Sequence, residues 1–466
     1  MKKYCFLIFV WFCLGIGVGK GQYTILHSFD YTHGGYPNCS LILSGNKLYG
    51  MTHEGGMYFV GCIFSIDTNG SGYTDLLDFN NSNGEAPYGS LTLSGSKLFG
   101  MTSGGGYHGD GNVFSIDTNG SGFKDLFDFN YTDGAFPQRS LVVSGNVLYG
   151  MTHNGGSHDS GCIFAIDTNG GKFRDILDFN GPNGAFPYNS LTISGNKLYG
   201  MTTYGGVSQK GNIFSIDTDG VGYKDLLDFN GMNGWVPQGS LTLSGGLLYG
   251  MTEGGGVGYG NIFSIDTSGN SYHDLFDFNK TDGWGPLGDL TLSGNILYGM
   301  TLNGGVYDTG CIFSVHTDGS NYKVLLYFDG INGANPWGAL TIFGSVMYGT
   351  AELGGVKNDG VIFKIDSNST LSIDNLSSTT FTSINIYPNP NNGIFTIAFS
   401  HPELVSGTQT IVEIYNEFGQ KVLTEIRQLA DDNLINLSSQ PSGVYFYRVI
   451  KENGELIGEG KIIVAK

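Results

Sequence analysis

The chain has 466 residues, of which 77 are glycine, 13% are aromatic and only 14% are charged, with a formal net charge of −19. That length exceeds one ordinary domain, and that acidity argues against a nucleic-acid partner, whose phosphates demand a basic surface. Much of the negative charge recurs at regular intervals, as at Asp67, Asp117 and Asp167.

Residues 1–21 read as a secretory signal. Lys2 and Lys3 precede an apolar core from Tyr4 to Val18, and Gly19 and Gly21 supply small residues for cleavage before Gln22. This core is short for a membrane span and no later segment is apolar enough, so no transmembrane segment is expected in the mature chain.

Residues 22–367 repeat one unit about every fifty residues. Its clearest word, Tyr-Gly-Met-Thr, begins at Tyr49, Tyr149, Tyr199, Tyr249 and Tyr298, and is varied at Phe99 and Tyr348. In the copy from Ser90 to Phe129, Ser90–Leu93 alternates and stops at a Ser94-Gly95 hairpin signal. Residues 97–102 form a second strand. The glycine-rich stretch 104–111 cannot hold a regular element. Residues 112–117 and 123–129, rich in β-branched and aromatic side chains, form a third and a fourth. Four antiparallel strands per copy, near the kelch length and longer than WD40, predict an all-β fold, a seven-bladed β-propeller. The phase of the repeat also predicts closure. The segment Tyr23–Phe29 matches a fourth strand, whereas the seventh copy ends after its third, Val361–Asp366. The N-terminal strand should therefore complete the last blade.

In such blades the second-to-third and fourth-to-first connections share one face, and here these are the long ones. Function on a rigid scaffold concentrates in such loops. They offer His53, His108, His153, His158 and Tyr204, with Tyr88, Phe136, Trp235, Trp284 and Trp337 near the loop prolines. Flat rings bury sugar faces while polar groups fix orientation, so this set is the candidate for a glycan or protein ligand. The same aromatics would also serve to seal blade junctions. The four histidines come from neighbouring blades without ligand spacing, and no metal or other cofactor is expected. Cys62, Cys162 and Cys311 occupy one strand position in different blades, too far apart for a disulfide. Asp217-Thr218-Asp219-Gly220 lacks the later ligands of a calcium loop and reads as a hairpin turn.

Residues 368–383 are a Ser/Thr-rich linker, and residues 384–466 open a second domain. It begins Tyr387-Pro388-Asn389-Pro390, continues through Phe418-Gly419-Gln420-Lys421-Val422 and Gly443-Val444-Tyr445, and ends at Lys466. Its alternating strands and Asn-Gly turns predict a small sandwich.

Two resemblances follow. The Leu-Tyr-Gly-x-Thr, Gly-Gly and Gly-x-Ile-Phe-x-Ile elements resemble the "GloVer" tandem repeats of bacterial surface proteins, with Met51 and its equivalents where a small Thr is usual. This implies a propeller-like exported protein and no particular activity. The second domain resembles the type A C-terminal sorting domain of the type IX secretion system. That resemblance implies an Ig-like sandwich recognised by an outer-membrane translocon and removed by a sortase, so that the protein is secreted or displayed at the cell surface. The chain therefore reads as an exported binding module. The alternative is a polysaccharide-active enzyme with its site on the long-loop face. A cluster of carboxylates and Arg outside the repeat pattern would favour the enzyme.

Overall fold

A computed structural model describes residues 23–366, 383–387, 391–400, 409–416, 420–428, 433–451 and 456–466. Residues 1–21, read above as a signal, residues 368–382, read as a linker, and Pro388, Asn389, Pro390 and Gly419 lie outside the described residues. Two compact units lie on either side of segment 367–382.

The first unit is seven four-stranded antiparallel sheets in tandem, a β-propeller. The blade containing the copy discussed above has strands Thr92–Ser94, Lys97–Thr102, Asn112–Asp117 and Lys124–Asp128, hydrogen-bonded in that order. Its innermost strand starts later than the alternation suggested. The amide of Ser90 is committed elsewhere, to the hydroxyl of Ser140 at the same position one copy on.

Each residue of the repeated word has a packing reason. Leu48 and Gly50 face one junction between blades, and Tyr49 and Met51 face the other. Gly50 lies opposite Phe64 on the adjacent strand, and a Cβ there would sit 2.5 Å from the phenyl ring. The same Gly–Phe pairing recurs down to Gly349 and Phe363. The glycine thus makes room for a ring that is fully buried, a contribution of about 1.5–3 kcal/mol per side chain. Thr52 is buried, and its hydroxyl donates to the carbonyl of Glu54, tying the end of the strand to the loop that follows.

Seven apolar clusters fill the seven junctions, each drawing on two neighbouring blades. One of them joins Leu41, Leu48 and Phe64 of the first blade to Tyr348 and Ile362 of the last, so the ring is shut. The strand Thr24–Ser28 pairs antiparallel with Val361–Asp366, with Thr24 opposite Lys364 and Ser28 opposite Val361. The N-terminal strand therefore completes the seventh blade, and a closed ring leaves no exposed blade-to-blade surface. Side chains at one repeated position link the inner strands of successive blades at six of the seven steps. The amides of Ser40, Ser90, Ser140 and Ser190 each donate to the serine one copy on, Ser240 to Asp289, and Ala339 back to Ser40.

Cys39, Cys62, Cys162 and Cys311 are free and buried. Burial pushes the Cys39 thiol up to about 11 and that of Cys162 to about 12. Where one copy has Cys62 another has Asn112, and each meets the threonine at the end of the neighbouring strand.

The second unit pairs a three-stranded sheet with a four-stranded one. Phe395 and Ile435 from the first pack with Val412, Ile414, Tyr447 and Val449 from the second, which makes a sandwich core. Gly443 opens a strand, and the buried Tyr445 donates its hydroxyl to the carbonyl of Pro441 at 2.8 Å. The ammonium of Lys466 donates to the carbonyls of Ser438 and Gln440, fastening the chain end onto the same turn. Tyr387 ends the strand Ser383–Tyr387.

Candidate functional site

The two kinds of long loop lie together on one face. Backbone bridges pair Gly35 with Glu54, Glu85 with Gly104, Ala135 with Asn154, and so on to Ala334 with Leu353. Each fourth-to-first loop begins with an Asn or Asp side chain folded back on the turn, as where Asn80 Oδ1 accepts the amide of Asn83 at 3.2 Å. Gly84 follows at φ +116°, where a Cβ would strike Thr102. The loop then runs inward from the outermost strand to the innermost, so residues late in it lie nearest the axis.

Directly after each loop proline stands one residue per copy: Asn38, Tyr88, Gln138, Tyr188, Gln238, Leu287 and Trp337. The next position holds Cys39, Gly89, Arg139, Asn189, Gly239, Gly288 and Gly338. Here consecutive copies touch. A Cβ on Gly239 would lie 2.1 Å from the carbonyl of Gly288, and one on Gly338 would lie 2.4 Å from that of Cys39. Only glycine lets four of the seven backbones approach so closely.

Arg139 crosses this ring. Its Nε donates to the carbonyl of Tyr188 at 3.1 Å and its Nη2 to that of Leu287 at 2.9 Å, on the opposite side of the axis. The guanidinium lies 5.3 Å from the centre of the Tyr188 ring, a cation–π contact, and the residue is 9% exposed. Among the described residues no carboxylate forms an ion pair with it.

A second ring comes from the residue that follows each repeated word, including His53, His153, Glu253 and Glu352. His53 stacks on Tyr88 with ring centres 3.9 Å apart, and His153 meets the edge of Tyr188. Gln238 Nε2 donates to Glu253 Oε2 at 2.7 Å, and Trp337 Nε1 to Glu352 Oε2 at 2.7 Å. Burial lowers the pKa of both histidines and raises that of both glutamates, with Glu54 raising Glu352 further. The Tyr88 hydroxyl is pushed up by burial and by the proximity of Tyr188, Glu54 and Glu352, groups drawn from several blades. Four buried polar atoms in these rings have no hydrogen-bond partner: Asn38 Oδ1, His53 Nδ1, Gln138 Oε1 and Asn189 Nδ2.

Of the residues singled out in the sequence, Tyr88, Trp337, His53 and His153 come together in these axial rings. The others stand elsewhere on the face. Trp235 and Trp284 come earlier on the inward path, hence farther from the axis. Trp235 covers Gly254, whose Cβ would clash with the indole, and receives Lys210 over its ring. Trp284 Nε1 donates to Asp308 Oδ1 at 3.3 Å. Phe136 and Tyr204 are partly exposed beside the same ribbons, and His108 and His158 are exposed at loop tips. Among the described residues no three metal-ligating side chains converge. Sequence reasoning passed over Tyr188, Gln138, Gln238 and the place of Arg139. The available signal was positional: these residues differ between copies at points where the surrounding pattern is constant.

Residues 385–465 match the secretion system C-terminal sorting domain, so the protein is exported by the type IX route to the cell surface or beyond. No curated protein matches the chain. Solved structures share the fold. The extracellular domain of a protein described as a one component system of B. thetaiotaomicron is 12% identical, with a TM-score of 0.50 over 96% of this chain and 60% of that one. PorZ, a surface component of the type IX secretion system of Porphyromonas gingivalis, is 13% identical, with a TM-score of 0.44 over 93% and 60%. The propeller domain of the Trilobed protease from Pyrococcus furiosus is 11% identical, with a TM-score of 0.45 over 72% and 96%. The chain thus spans about three fifths of the length of the first two. Three overlapping matches, at residues 16–157, 142–286 and 253–396, carry the repeat model across most of the sequence, and the chain belongs to the Gloeobacter/Verrucomicrobia repeat family.

Proposed function

We propose that this exported propeller binds a saccharide at the axial ring of its long-loop face. The observation that carries this reading is the ring itself. At the position after each loop proline the copies abandon the repeat. Tyr88, Tyr188 and Trp337 stand there among buried polar atoms that lack partners. Rings of this kind suit sugar faces, and unpaired polar groups suit hydroxyls. A glycan array probed with the exported protein tests it. Tyr88→Ala or Trp337→Ala should weaken binding to any hit about tenfold or more, while Trp235→Ala should leave it nearly unchanged. Absence of saturable binding to any saccharide would sink the reading.

A second reading, a polysaccharide-active enzyme, is favoured by one feature. Arg139 and the half-buried carboxylates Glu253 and Glu352 all stand in these rings outside the repeat pattern, and desolvation raises the pKa of both glutamates. Raised carboxyl pKa values in a cleft are what general acids require. A reducing-sugar assay on any glycan that binds separates the two readings, since a binding module releases no new ends.

A further inference from the structure

Closure of the ring does not by itself require a cation at the axis. Four of the seven copies place glycine at its position, and the ring closes through them without a side chain. A buried guanidinium is costly to desolvate and is normally paired with a carboxylate. Arg139 is buried and unpaired, in a chain whose net charge is −19. Two of its donors are committed to the carbonyls of Tyr188 and Leu287, which fix the plane of the fork. A guanidinium carries five donors in all, so others remain for a ligand. At the same two positions of the repeat, Asn38 Oδ1, Asn189 Nδ2 and Gln138 Oε1 are buried without partners, while Asn189 Oδ1 accepts the Met201 amide; Asn38 and Asn189 are themselves only 4% and 3% exposed.

We propose that Arg139 anchors the carboxylate of an acidic saccharide, a uronate-type sugar, with Tyr88 and Tyr188 as walls and the unpaired amides receiving its hydroxyls. This rests on the reading of the axial ring as a saccharide site and names the class of sugar. A fixed guanidinium recognises carboxylate geometry far better than a flexible ammonium. It would be a local positive charge in an otherwise acidic face.

The test uses the full exported chain and titration calorimetry with three probes: an oligouronide, its methyl ester, and a neutral oligosaccharide of the same linkage. The oligouronide should bind at least about tenfold more tightly than its ester, the value of a hydrogen bond to a charged group. Arg139→Gln should erase that difference, and Arg139→Lys should restore it only in part. The ester comparison needs no variant, so it stands even if Arg139→Gln folds poorly. Equal binding of ester and acid would overturn the role of Arg139 and leave the saccharide reading intact, as would a preference for the neutral probe. Binding of none of the three, with no hit on the glycan array, would remove both.

Discussion

Arg139 and Leu287 stand on opposite sides of the propeller axis, 148 residues apart, and are joined by a 2.9 Å hydrogen bond from guanidinium to main-chain carbonyl. The same side chain also holds Tyr188, so one residue ties three copies of the repeat together. Arg139→Ala leaves two carbonyls without their donor. The expected loss is about 1–3 kcal/mol, read as a lower midpoint in chemical denaturation. An unchanged midpoint would mean that water replaces the arginine at no cost.

Gly200 faces Phe214 across adjacent strands, and a Cβ there would lie 2.5 Å from the ring. Gly200→Ala should cost about 1–3 kcal/mol by overpacking. Combining it with Phe214→Leu should cost less than the sum of the two single changes, because the smaller side chain vacates the contested space. Simple additivity in that double-mutant cycle would show that the glycine is not there for the phenylalanine.

Because Thr24–Ser28 pairs with Val361–Asp366, the chain's beginning is part of its last blade. Deleting residues 23–29 should lower the melting temperature of the whole propeller in a single calorimetric transition, since every junction depends on closure. A normal main transition with only a small early shoulder would confine the strand to local edge protection.

On the outer strands, Asp75 is pushed from 3.8 up to about 6, first by burial and then by the neighbouring Asp78, and Asp125 and Asp175 are raised likewise. An acid whose folded pKa exceeds its unfolded one binds more protons when folded, so its contribution is fully present below about pH 4 and fades as pH rises through about 6. Asp75→Asn imitates the protonated form. It should melt higher than the parent above pH 6 and no higher at pH 4. An equal difference at both values would rule out this linkage.

The repeat was legible in the sequence because each of its features acts within a blade or on the next one. Tyr-Gly-Met-Thr is a strand whose alternate residues face two junctions, and its glycine answers a phenylalanine fourteen residues on. The strand count per copy and the phase that leaves Thr24–Ser28 to finish the last blade follow from such short-range patterns, whereas the sorting tail was recognised by its resemblance to a known family. The candidate site was legible only in part. His53, His153, Tyr88 and Trp337 stood out as chemistry-bearing residues in loops, but so did Trp235, Trp284, Phe136, Tyr204, His108 and His158. What separates the two groups, a place directly after the loop proline or the repeated word, gains its meaning only once the ring shows that those positions face the axis.

What the linear order determined by itself was the blade and the number of its copies, since hydrophobic alternation and turn chemistry are local. What only the closed ring decided was radius: which loop residues reach the axis and which stop short of it. Residues separated by as many as 148 positions, such as Arg139 and Leu287, become neighbours only when the copies close into a ring. Their contact depends on the distance across a circle, which no periodicity in the chain encodes.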